Sequence, residues 1–160
     1  MIMTRIQFNL FVSYSQVAVF AAGLDHPFND WEQEHVDQGF AWREGSVSFA
    51  TLEEASALHC EVVVADGWRP HPEAERAIRV PFSVAGGDSV EIASISDGVV
   101  FKLGALGSCL LVFEIWVDSH ADLQARFTFV PHQDSVKPAI LKADGALRPP
   151  AVLRMTARFA

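Results

Sequence analysis

The chain has 160 residues, of which half are hydrophobic and a fifth charged, and its formal net charge is −8. That is enough length and apolar content for one domain with a substantial core, and it excludes a disordered chain. The acidic balance and the lack of any basic patch exclude a nucleic-acid-binding surface, because phosphates must be met by lysine and arginine.

From the N-terminus, Arg5–Ser13 alternates, with Ile6, Phe8, Leu10 and Val12 on one face of a predicted strand. Gln7, Asn9, Ser13, Ser15 and Gln16 interrupt the apolar stretch that a secretory signal would need, so the expected location is cytoplasmic. Ser15–Ala21 continues after a bend. A short helix is expected next, capped by Asn29 or Asp30, with Glu32 and Glu34 at its positive end and Gly39 at its exit. Thr51–Ser56 reads as a second helical turn, with Thr51 and Glu54 spaced as a capping box.

The remaining predicted elements are strands at 46–50, 58–65, 76–84, 89–95, 99–103, 108–117, 124–130 and 151–159. Asp66-Gly67, Gly86-Gly87-Asp88, Asp97-Gly98 and the stretch from Gly104 to Gly107 supply turn chemistry between them. Pro81 inside a strand pattern points to an edge or a bulge there. Residues 131–150, with four prolines, read as a long connection before the last strand. The expectation is a single all-β domain over residues 1–160, mainly an antiparallel β-sandwich, with one or two short helices. No run is long and clean enough to span a membrane.

Catalytic and metal-binding motifs are missing. The six histidines form no HxH or HExxH pair, and no Cys/His spacing suggests zinc, so no metal or cofactor is expected. Cys60 and Cys109 each sit in an apolar run and read as buried free thiols, or as a pair if their strands face each other. Ser119-His120 with Asp122 has the composition of a triad, but adjacent residues point apart and a triad is assembled from separate elements.

Charge and aromatic placement are more informative. Twelve of the twenty carboxylates lie between Asp25 and Glu75, with only Arg43 and Arg69 among them, a segment charge of 2 − 12 = −10. Trp31, Phe40 and Trp42 fall inside this stretch. Aromatic anchors within a charged rim are a common composition for protein–protein recognition.

Three blocks resemble the competence protein J family, whose characterised role is inhibition of a DNA-entry nuclease. They are Val12 to Phe20; Asp30-Trp31 through Gly39-Phe40-Ala41 to Gly45–Phe49; and Val80–Val84 with Val90–Ile95. The likeness covers roughly residues 10–120, with Trp42 standing where a small residue is expected. The resemblance implies a stoichiometric, non-enzymatic inhibitor whose partner is a nuclease, with no direct nucleic-acid contact. Trp31 and Phe40 are then the candidate anchors, with Asp30, Glu32, Glu34, Asp37 and Glu44 around them. Two other readings stay open: a β-sandwich module binding a small ligand or structural partner, and a hydrolase using His120 or His71. The sequence does not give the oligomeric state.

Overall fold

The computed structural model describes residues 1–84 and 87–160. Part of the expected glycine turn at 86–88 lies outside the described residues. Among the described residues eleven strands and one helix are formed: β1 (Ile2–Val12), β2 (Gln16–Ala21), α1 (Gln33–Gln38), β3 (Phe40–Arg43), β4 (Ser46–Ala50), β5 (Ser56–Ala65), β6 (Arg76–Ser83), β7 (Ser89–Ala93), β8 (Gly98–Lys102), β9 (Ser108–Val117), β10 (Leu123–Val130) and β11 (Ala139–Lys142). They make a six-stranded sheet in the order β1-β5-β10-β9-β6-β11 and a five-stranded sheet in the order β3-β4-β2-β7-β8. The pair β5–β10 runs parallel and the other pairs antiparallel. The mainly antiparallel β architecture expected from the alternation is the one formed.

Each strand turns its apolar residues inward, as its period of two requires. Leu10 and Val12 of β1, Leu58, Val62 and Val64 of β5, and Leu111, Phe113 and Ile115 of β9 enter one core with Val17, Val47 and Phe49 of the smaller sheet. Phe49 stacks on Phe113 across the two layers at 4.5 Å, and Phe113 meets Phe127 at 5.3 Å. Such ring pairs add about 0.5–1.5 kcal/mol each beyond the area they bury.

β9 is buried on both faces because the connection from β5 to β6 crosses its outer side. Glu114, fully buried there, accepts hydrogen bonds from Trp68 Nε1 (3.1 Å), His71 N–H (2.7 Å) and Arg126 Nε (2.8 Å). A buried carboxylate is tolerable only with such partners. On the smaller sheet, the segment after β2 performs the same covering, packing Leu24 and Phe28 over Ala18 and Phe20.

Several sequence expectations are corrected. The helix begins at Gln33 with Glu32 as its cap, because Asn29 is buried and committed elsewhere. Residues 51–55 form bends and no helix: Thr51 N–H donates to Ser15 O (2.8 Å) and Ser15 N–H to Glu54 O (2.9 Å), so tertiary bonds replace the capping box. Residues 151–159 form no strand apart from a bridge of Phe159 to Asn29. β3 and β11 are strands that the sequence reading missed. Pro81 lies past the end of β11, whose pairing covers only Ala77, Ile78 and Arg79, so β6 is an edge at the proline.

Candidate functional site

The segment following β2 positions Trp31. Asn29 Nδ2 donates to Ala41 O (3.0 Å) and Ser48 Oγ (3.3 Å), while its Oδ1 accepts Arg43 Nε (2.6 Å). This anchorage lays the chain over the smaller sheet and leaves the half-buried Trp31 indole beside the start of β2, where Nε1 donates to Gln16 Oε1 (3.3 Å). Its ring meets His35 edge-on at 6.5 Å. His35 Nδ1 accepts the Glu32 N–H (3.0 Å), so its proton sits on Nε2 and is donated to Thr156 O (2.8 Å). Gly39 ends α1 at φ +86 and aims the chain into β3.

Of the residues proposed around the tryptophan, Asp30, Glu32 and Glu34 are exposed and Asp37 is half-buried. Two others do not belong with them. Phe40, at 0% exposure, packs in the main core because β3 pairs it with Phe49, so it offers nothing to a partner. Glu44 lies in the turn beyond the far end of β3, where its Oε1 accepts Ser83 Oγ (2.9 Å). One short strand separates it from the helix.

A further correction concerns charge. The extended segment after β11 returns across α1, held by Gln38, whose Oε1 accepts the Arg154 N–H (2.8 Å) and whose Nε2 donates to Arg154 O (2.9 Å). This sets the Arg154 guanidinium against the Glu32 carboxylate and 3.6 Å from that of Glu34. The acids of the helix are therefore partly neutralised by the chain's own C-terminal segment.

What the sheet registers do gather is a pole of the sandwich. Val12 lies opposite Ser56, Leu58 beside Leu123, and Leu123 opposite Val117. In the smaller sheet Gln16 faces Ala50, Phe40 faces Phe49 and Ala93 faces Gly98, while a bridge from Ser13 to Gln16 closes β1 onto β2. The connections at 13–15, 33–39, 51–55, 94–97 and 118–122 thus share one end. They carry Glu34, Asp37, Glu53, Glu54, Asp97, Asp118 and Asp122 and no lysine or arginine of their own, while the segment after β11 brings the exposed Arg148 beside Asp37 and Arg154 beside Glu34 at the same end. At the other end the signs are mixed, with Asp25, Glu44 and Asp134 among Arg43, Lys102 and Lys137. The linear charge count missed Asp97, Asp118 and Asp122 because they lie outside the 25–75 stretch; the turn signals flanking them were the cue available.

The triad-like Ser119-His120-Asp122 is a turn. Hydrogen bonds from the N–H groups of Asp122 (3.0 Å) and His120 (2.8 Å) hold the Asp118 carboxyl below its ordinary range. His71 stacks on Trp116 at 3.9 Å and its Nδ1 accepts the Glu73 N–H (3.1 Å). Among the described residues neither imidazole bonds to a serine, aspartate or glutamate side chain, and no His/Cys/Asp/Glu group has metal-binding geometry. Both cysteines are free and buried; burial raises the two thiols, Cys109 to about 12.

A family model described as Competence protein J (ComJ) matches residues 9–130. Among solved structures, ComJ of Bacillus subtilis, described as an inhibitor of the DNA-degrading activity of NucA, superposes with a TM-score of 0.73 at 22% identity. The match covers 82% of this chain and 99% of that one. A protein described as crocagin biosynthetic gene J superposes with a TM-score of 0.54 at 12% identity, covering 81% of this chain and 98% of that one. No curated protein sequence matches.

Proposed function

The chain belongs to the competence protein J family, and on that premise we propose that it is a stoichiometric, non-catalytic inhibitor of a DNA-degrading nuclease. It blocks the enzyme's cationic DNA-binding site with its acidic pole. The observation that carries this reading is the set of five connections at one end of the sandwich, whose seven carboxylates outnumber Arg148 and Arg154, the two arginines that the C-terminal segment brings to the helix there. A nuclease groove is positive because it binds a polyanion, so it complements that pole and attracts it over a distance. The solved relative named for inhibition of NucA supports the same kind of partner.

Steering of this kind raises association rates by about 10–1,000-fold and fades as salt shortens the screening length to about 8 Å at physiological ionic strength. The half-buried Trp31, at the border of the pole, and the exposed carboxylates of Asp30 and Glu32 lie next to it and extend the face. The test is a titration of the purified chain against each DNase fractionated from the source organism, scored by plasmid degradation. Complete inhibition of one of them near equimolar ratio is expected. Undiminished degradation by all of them at tenfold excess of the chain overturns the proposal.

A further inference from the structure

We infer that the docking surface is centred on a platform of three turns with Tyr14 at its middle, with the helix acids at its margin and Phe40 outside it. This inference rests on the nuclease-inhibitor reading and deepens it by naming where the partner binds.

The three turns are the β1–β2 turn at 13–15, the β4–β5 connection at 51–55 and the β7–β8 turn at 94–97. They are distant in sequence and stitched together in space. Ser94 Oγ donates to Phe11 O (2.6 Å), Ser13 and Ser96 share a hydrogen bond between their hydroxyls (2.8 Å), and Phe11 N–H donates to Asp97 Oδ2 (3.3 Å). From the other side, Ser15 N–H donates to Glu54 O (2.9 Å) and Ser15 O accepts the Thr51 N–H (2.8 Å). A surface tied in this way is presented without the ordering cost that a mobile loop would bring to binding.

What it presents is unusual for solvent. Tyr14 is 73% exposed and Ile95 43% on adjoining turns, and Phe11, near the end of β1 beside them, is 53% exposed. Glu53, Glu54 and Asp97 stand beside them, all exposed. Apolar anchors ringed by charge are the composition of an interface hot spot, and a tyrosine brings large area with only two rotatable side-chain bonds. The ring of acids selects a cationic partner, which is the charge a DNA-cleaving enzyme offers around its groove.

The backbone at the tip points the same way. Tyr14 (φ +57) and Ser15 (φ +57) both occupy the left-handed region, where a two-residue hairpin turn ordinarily carries glycine or asparagine. A tyrosine kept there and left in solvent contributes little to the fold that would repay the strain. Its use lies outside the molecule.

The backbone conformation also supplies the discriminating variant. Tyr14→Gly removes the ring and relieves the turn, so the melting temperature should be unchanged or raised. Inhibition of the partner nuclease should nevertheless weaken about 30-fold or more, the loss typical of a hot-spot aromatic. Phe11→Ala should weaken it in the same direction, and Glu53→Lys combined with Glu54→Lys should slow association at low salt with little effect on stability. If the wild type inhibits a DNase and Tyr14→Gly inhibits it equally well, this site is wrong and the nuclease-inhibitor reading stands. If the wild type inhibits none of the source organism's DNases, both fall together, since the platform is assigned to that partner.

Discussion

The contact between Arg76 and Asp144 is the clearest place to test how the C-terminal segment is held. Arg76 opens β6 with its side chain only 4% exposed, and its Nε and Nη2 donate to the two carboxylate oxygens of Asp144 at 2.7 and 3.1 Å. Nη1 donates to Ala50 O at 2.9 Å, so the guanidinium ties the last segment to both sheets. Asp144→Ala leaves that buried cation with a single carbonyl partner. Breaking one side of a buried pair costs about 3–5 kcal/mol, chiefly through the orphaned charge. At about 2–4 °C per kcal/mol for a chain of this size, the melting temperature should fall by roughly 6–20 °C.

Replacing both partners with apolar residues, Arg76→Met with Asp144→Leu, should recover much of that loss, because neither charge then needs hydration. The pH dependence has a definite sign. Desolvation works against ionisation of Asp144, but the hydrogen bond and charge of Arg76 outweigh it and hold the carboxyl below its ordinary range. The contribution is thus present above the unfolded value of about 3.9 and lost as pH falls through the lower folded value. Asp144→Asn should flatten the acid limb of the stability profile. Chemical denaturation across pH 2–7 measures both effects. A loss under about 1 kcal/mol for Asp144→Ala, or a double variant no better than the single one, refutes the reasoning.

Two other expectations are simple to check. Phe40→Ala should cost about 3–5 kcal/mol in denaturant unfolding through the cavity it leaves, while inhibition per folded molecule stays unchanged, because the ring is wholly internal. Cys60 and Cys109, buried and with raised thiol pKa values, should stay unreactive toward a thiol reagent at pH 8 in the native protein, and two thiols per chain should react after unfolding.

The strands legible in the sequence are those long enough to show their period against turn residues. β1 exposes Arg5, Gln7 and Asn9 between Ile6, Phe8, Leu10 and Val12, and β9 is bounded by Gly107 and Asp118. β3 and β11 have four residues each, too few to alternate visibly, and both exist because a neighbouring edge was free to pair. The segment 151–159 shows why alternation alone does not make a strand. Leu153, Met155 and Ala157 are half-buried and Val152, Thr156 and Arg158 exposed, but Arg154 is half-buried and Phe159 exposed, so the alternation is only partly realised. Its backbone, however, bonds to the Gln38 and His35 side chains and to the Asp30 N–H, partners that no local pattern encodes.

The site was less legible than the fold for a related reason. A linear count assigned the charge to one stretch, whereas the registers distribute that stretch over both poles and recruit Asp97 and Asp118 from elsewhere. Phe40 looked like Trp31 in sequence, an aromatic among acids. Only the left-handed turn at Gly39, which sends residue 40 straight into β3, separates a core ring from a surface one.

The C-terminal segment gives the charge argument its last step. The family-matched residues 9–130 hold six bases and eighteen acids, a net −12, and residues 131–160 hold five bases and two acids, a net +3. The segment beyond the match is therefore a counter-charge, and Arg154 places it on Glu32 and Glu34. Arg154→Ala releases both carboxylates and moves the net charge from −8 to −9, while the backbone bonds of residue 154 to Gln38 remain to hold the strap. If field strength around the acidic pole governs encounter, this variant should associate with the nuclease faster than the wild type at low ionic strength. The two rates should converge as salt approaches about 0.5 M, where screening acts within a few ångströms. Stopped-flow association at several salt concentrations reads this directly. Equal rates at low salt would mean that the partner does not sense the helix acids, and that the steering comes from the turns alone.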